Sequence, residues 1–129
     1  MLKYDIIQFL NKNPELTYNG IEWNQNDESY ESSRVDLYES LDEIIKCIDW
    51  LDRFYVPSSR RKDETNSYAL KHYVEYYTGE YISNGAFVAA VMMRNLRYIK
   101  EKDNPNVFFK LHSKSLEEHR ILYRERKRS

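Results

Sequence analysis

Cysteine occurs once in this 129-residue chain, and glycine and proline three times each. The lone Cys47 excludes an intramolecular disulfide and any cysteine-based zinc cluster. It sits in a helical pattern beside Ile48, the setting of a small buried hydrophobe and not of a nucleophile. No Gly-rich phosphate loop, no Ser/His/Asp pattern and no HExxH are present. Long apolar runs are missing too. The longest uncharged run in the apolar region, Tyr81–Met93, has 13 residues, short of the roughly 18 needed to span a bilayer. Asp5 and Gln8 interrupt what would be the apolar stretch of a signal peptide, so a cytoplasmic setting is expected.

What the chain has is charge and tyrosine. Charged residues make up 32% and aromatics 15%, with 12 tyrosines, and the aromatic content argues against disorder. The length fits a single domain over residues 1–129. The formal net charge of −1 hides an asymmetry. Residues 1–50 carry 11 acids and 4 bases, whereas residues 51–129 carry 10 acids and 16 bases. The two stretches either present separate surfaces or pack on each other.

Hydrophobic spacing predicts a mostly α fold, a compact bundle of five or six helices. Leu2, Ile6, Phe9 and Leu10 mark a helix over 2–12, ended by Asn13-Pro14. Asn19-Gly20, between Leu16-Thr17-Tyr18 and Ile21-Glu22-Trp23, has the chemistry of a two-residue turn. That segment is a short N-terminal β-hairpin or an ordered loop. Residues 24–31 read as polar linker. Leu37, Leu41, Ile44, Ile48, Leu51 and Tyr55 form one stripe of a helix over 34–55, with Ser33 and Asp36 as a shortened capping box and Pro57 after its end. Helices over 67–78 and 84–100 follow, the first ended by Gly79 and the second capped by Ser83. The second is apolar all round from Ala86 to Met93, which belongs inside a domain. Val107-Phe108-Phe109 is a short apolar segment, and 115–129 a basic C-terminal helix or tail.

The block Ser67-Tyr68-Ala69-Leu70-Lys71-His72-Tyr73-Val74-Glu75, followed by Tyr81-Ile82-Ser83-Asn84-Gly85-Ala86-Phe87-Val88-Ala89-Ala90, resembles small uncharacterised bacterial proteins of prophages and other mobile elements. Asn104-Pro105-Asn106 with Phe109 resembles the downstream end of that pattern, so the likeness covers residues 67–109. It implies a mobile-element setting and carries no catalytic role.

Several residues are candidates for function. Ser83-Asn84-Gly85 opens a helix with free N–H groups, a hydroxyl and no side chain at Gly85; Lys71 and His72 lie on the preceding helix. The arrangement suits a phosphate or carboxylate, or else it caps the helix and admits a neighbouring one. A helix-turn-helix is disfavoured, because Gly85–Val91 offers no polar side chains to base edges. His112 and His119, seven apart, are too distant for one metal, and His72 with Glu75 lacks a second pair; no metal or cofactor is implied. Tyr68, Tyr76, Tyr77 and Tyr81 exceed what one small core easily buries, so some should be exposed. The leading expectation is a small non-enzymatic interaction module of a phage or mobile element. Its protein partner would be met by Tyr68, Lys71, His72, Tyr76, Tyr77, Tyr81, Ser83, Asn84 and Gly85. The alternative is a nucleic-acid-binding accessory protein using Arg60, Arg61, Lys62, Arg124, Arg126, Lys127 and Arg128 on phosphates. An enzyme with a site around His72, Glu75 and Ser83 is a third, weaker reading.

Overall fold

A computed structural model describes the backbone of residues 3–128 and the side chains of residues 3–126. Its first helix, α1 (Lys3–Lys12), buries Ile6 and Leu10. Strands β1 (Leu16–Thr17) and β2 (Gly20–Ile21) then pair antiparallel, Leu16 opposite Ile21 and Thr17 opposite Gly20. The segment is therefore a hairpin, but its two loop residues are Tyr18 and Asn19. Gly20 is needed one position later, at φ 121°, where a Cβ would lie 2.3 Å from the Pro105 carbonyl oxygen.

The helix expected over 34–55 is two helices, α2 (Tyr30–Tyr38) and α3 (Leu41–Phe54). At the break Ser40 leaves helical geometry, and its hydroxyl donates to the Asp36 carbonyl at 2.7 Å. A serine that satisfies a backbone acceptor with its own side chain competes with the helix ladder. The stripe survives the break, with Leu37, Ile44, Ile48 and Leu51 all buried. α2 begins inside the expected linker, so Ser33 is not a cap. It is buried within α2, and its hydroxyl accepts the Tyr18 N–H at 3.1 Å.

After Tyr55 the chain is extended, and a 3₁₀ turn at Arg61–Asp63 leads into β3 (Glu64–Asn66). α4 (Ser67–Thr78) has the expected bounds. Asn66 caps its start by accepting the Ala69 N–H, and Gly79 ends it in the left-handed region. α5 (Asn84–Met93) is capped by Ser83 but stops seven residues earlier than expected. Arg94 there pairs with Asp52 of α3 through two hydrogen bonds, at 2.8 and 2.6 Å, and Asn95 takes φ 55°. The released chain supplies β4 (Ile99–Lys100), and Val107-Phe108-Phe109 lies in β5 (Val107–Lys110). The order β3-β5-β4 makes an antiparallel three-stranded sheet that helical periodicity gave no hint of. α6 (Ser113–Arg128) closes the chain.

Asn84–Val91 are all buried, so α5 is the central helix its composition required. Its Phe87 meets Trp50 of α3 edge-on at 6.2 Å, and these two with Phe54 are the largest fully buried side chains. His119 of α6 is buried beside them. It accepts the Trp50 Nε1–H at 3.1 Å and is ringed by Phe54, Tyr73 and Tyr77. Cys47, fully buried on α3, has its thiol pushed up by burial and by Glu43 and Glu75, which fits an inert thiol.

Two stability predictions follow from this packing. A Cβ on Gly85 would meet the Thr17 carbonyl oxygen at 1.8 Å, whereas one on Gly79 would meet nothing. Gly85→Ala should lower unfolding free energy by about 3 kcal/mol in urea titrations. Gly79→Ala, penalised by its φ alone, should lose about 1 kcal/mol; equal losses would refute the packing argument. For His119, burial and then the charge of Arg120 hold the imidazole below its ordinary 6.5. The unfolded chain protonates first as pH falls, so this contribution is complete above 6.5 and is lost below it. The urea midpoint should decline below that pH, and His119→Gln, which keeps an acceptor for Trp50, should remove that part of the decline.

Candidate functional site: a tyrosine face on the fourth helix

Tyr68, His72 and Tyr76 are four residues apart and share one face of α4. Tyr68 is 53% exposed and Tyr76 58%, and Tyr81, in the link to α5, is 62% exposed. The face continues through ring contacts, Tyr68 edge-on to His72 at 5.1 Å and Tyr76 against Tyr123 of α6 at 5.5 Å. Tyr18 of the hairpin lies 6.5 Å from Tyr81.

Beneath this face Lys71 is only 4% exposed. Its ammonium lies 4.6 Å from the centre of the Tyr81 ring, 5.3 Å from that of Tyr68 and 3.3 Å from Glu75 Oε2. A cation desolvated between rings is worth about 1–2 kcal/mol. Here it fixes two rings whose outer faces meet solvent.

Two carboxylates hold the link between α4 and α5. Glu75 Oε2 accepts the Ile82 N–H at 3.1 Å, and Glu43 Oε1 of α3 accepts the next N–H, that of Ser83, at 2.7 Å. Glu75 Oε1 is 2.8 Å from His72 Nδ1, and Glu43 Oε2 accepts the Tyr18 hydroxyl at 3.3 Å. Burial raises the Glu75 pKa, but the Ile82 N–H, His72 and Lys71 together outweigh it and leave the carboxyl below its ordinary 4.5. Burial, then Glu43 and Tyr81, push Tyr18 up to about 12. Beside the clamp, Glu75, Tyr76, Gly79, Glu80, Tyr81 and Tyr123 line an open hollow of about 350 Å³.

The expected interaction residues divide into two groups. Tyr68, His72, Tyr76 and Tyr81 come together at the surface, with Lys71 under them. Tyr77 turns inward instead, edge-on to Phe54 at 5.4 Å. Ser83, Asn84 and Gly85 are also buried. The donors expected to meet an anion are taken, the Gly85 N–H by the Tyr18 carbonyl at 2.9 Å and the Ala86 N–H by Ser83 Oγ at 3.1 Å. The element that Gly85 admits is the hairpin. Asn84 donates to the Asn19 carbonyl at 2.9 Å, and its buried Oδ1 has no partner among the described residues. Ser83 Oγ is thus spent on its helix, and His72 with Glu75 meets a lysine and a backbone amide in place of a nucleophile. Glu43 was not legible as a member of this group, because nothing local relates it to Ser83 forty residues away.

Arg60, Arg61 and Lys62 are exposed, with Arg60 on Asp63 at 3.1 Å. They sit beside the start of α6, where the Leu111 N–H donates to the Asp63 carbonyl. Arg124 lies 11 residues along α6, roughly 17 Å further at 1.5 Å per residue. Arg126 contacts the Tyr77 carbonyl and ring. The side chains of Lys127 and Arg128 lie outside the described residues. The basic residues therefore form two groups, one at either end of a helix.

Glu75 gives a pH test. Its depressed pKa means that its contribution is present above 4.5 and is lost as pH falls through the folded value. The urea midpoint should drop in that acid range, and Glu75→Gln should flatten the drop while lowering stability at neutral pH. An identical acid profile in the variant would remove Glu75 from the account.

Compared with known proteins, the chain matches no family model, no curated protein and no solved structure.

Proposed function

We propose that this chain is a non-enzymatic protein-interaction module, a compact bundle of helices in its core, that docks a partner on the Tyr68–Tyr76–Tyr81 face. The observation that carries the reading is the buried Lys71 ammonium between two rings that are each more than half exposed. Large apolar rings normally lose exposure when they are held this firmly. Rings held in place yet open to solvent have little freedom left to lose on binding, and tyrosine is among the residues that anchor interfaces. The hollow beside them joins three tyrosines to Glu75 and Glu80, a lining suited to a lysine or arginine of the partner. Glu80 also pairs with Lys46, so an incoming base would compete with that exposed pair. A mobile-element setting, which the resemblance of residues 67–109 implies, would put the partner in a host cell or on the same element. A cytoplasmic location accords with that setting. Among the described residues no helix is long and apolar enough to cross a membrane.

The nucleic-acid reading draws on exposed Arg61 and Lys62, but it needs one ligand to reach both ends of α6. Affinity capture from the native host separates the two. The wild-type chain should retain a partner that Tyr76→Ala/Tyr81→Ala loses at least tenfold, while Arg61→Gln/Lys62→Gln retains it. Capture indifferent to the tyrosines would sink the proposal. Binding to a labelled oligonucleotide that falls steeply with salt and needs Arg61 and Lys62 would replace it.

A further inference from the structure

The three-stranded sheet has a gap on one side of its central strand. Ile99 of β4 faces Phe108 of β5, and in that register Tyr98 would face Phe109 and Arg97 would face Lys110. Neither pair forms, because β4 is two residues long and the chain turns away before Ile99. Further along β5, Pro57 bridges Leu111, and the His112 N–H donates to the Val56 carbonyl at 2.8 Å. Continuing that register, Ser58 would face Lys110, and this pair is not formed either. Two segments therefore approach the same stretch of β5 from opposite ends and splay apart over Phe109 and Lys110. Between them lies a hollow of about 670 Å³, the size of a small-molecule site.

Its lining has a definite chemistry. Tyr55, Tyr98, Phe108 and Phe109 give it aromatic walls, and Arg97 and Lys110 are its charged residues; no carboxylate lines it. Lys110 donates to the Ser59 carbonyl at 3.3 Å, which leaves ammonium protons free. Glu64 is its cross-strand neighbour, yet among the described residues neither Lys110 nor Arg97 has an ion-pair partner. The Tyr55 hydroxyl is directed to the Lys110 carbonyl at 3.4 Å, which holds the wall in place. An unpaired guanidinium and an ammonium at the edge of an aromatic hollow match a flat ring that bears an anionic group.

We propose that this hollow binds a small aromatic anion, the ring among Tyr55, Tyr98 and Phe108 and the anionic group toward Arg97 and Lys110. The lining shares no residue with the tyrosine face of α4, and the proposal does not depend on the role of those tyrosines. Calorimetric titration of the full chain with 2-naphthoate tests it, with amide NMR shifts to locate the contact. Saturable binding is expected, with shifts at residues 97–99 and 108–110. Arg97→Gln and Lys110→Gln should each weaken it about fivefold, and the neutral 2-naphthamide should bind at least tenfold more weakly. Arg97 is exposed and unpaired, so its variant retains the fold, and Arg120→Gln on α6 serves as an unaffected control. Adenosine monophosphate, adenosine and inorganic phosphate are run in parallel. Tighter binding of the monophosphate than of naphthoate narrows the class to nucleotides. Phosphate binding as tightly as the monophosphate, equal binding of naphthoate and its amide, shifts confined to other faces, or no saturation would each overturn the proposal.

Discussion

The Gly85 amide meets the Tyr18 carbonyl at 2.9 Å, and the contact exists because residue 85 has no side chain to hold the hairpin away. Much of the molecule is arranged about that approach. It brings the hairpin onto the N-terminus of α5, where Asn84 donates to the Asn19 carbonyl. The far edge of the hairpin is then pressed on the turn before β5, through the Ile21 N–H on the Pro105 carbonyl and the Trp23 indole on that of Asn104. Two strands of two residues each cannot be stable alone. Here they are the joint between the central helix and the C-terminal sheet, and their stability is borrowed from both.

The same contact explains which parts of the fold were legible. Periodicity and caps are local signals, so the bounds of α4, the Ser83 cap and the burial of α5 could be read from neighbouring residues. The break at Ser40 could not, since Leu37 and Leu41 keep the spacing of one continuous stripe across it. Nor could the early end of α5. Leu96 and Ile99 continue a helical pattern, and only the pairing of Arg94 with Asp52, forty-two residues away, marks the place where the chain leaves it. The sheet was hidden for a related reason. Its outer strands span two and three residues, too short for alternation to register. At the candidate site the tyrosines were visible as composition, but Glu43 and the burial of Lys71 depend on contacts between helices.

Charge along the chain is a poor map of charge in space. The acidic first fifty residues and the basic remainder suggested two electrostatic halves. Yet the carboxylates beside the tyrosine face include Glu75 and Glu80, from the basic stretch, along with Glu43 from the acidic one. Lys46, a base of the acidic stretch, pairs with Glu80. Folding sorts charges by the helix face they occupy, and each ammonium or carboxylate taken out of water here is supplied with partners.

Lys71 illustrates what that supply achieves. An ammonium buried without compensation would lose its proton or unfold its surroundings. Glu75 balances its charge, and the rings of Tyr68 and Tyr81 take the place of water on its remaining sides. Because Glu75 also accepts the Ile82 N–H, and Glu43 the next amide, the rings are fixed to the same link that positions the start of α5. The exposed aromatic face is thus tied to the buried centre of the fold through two carboxylates, of which Glu75 also holds Lys71. A change at Glu75 loosens the ring supports and the helix connection together, so surface and core at this point form one mechanical unit.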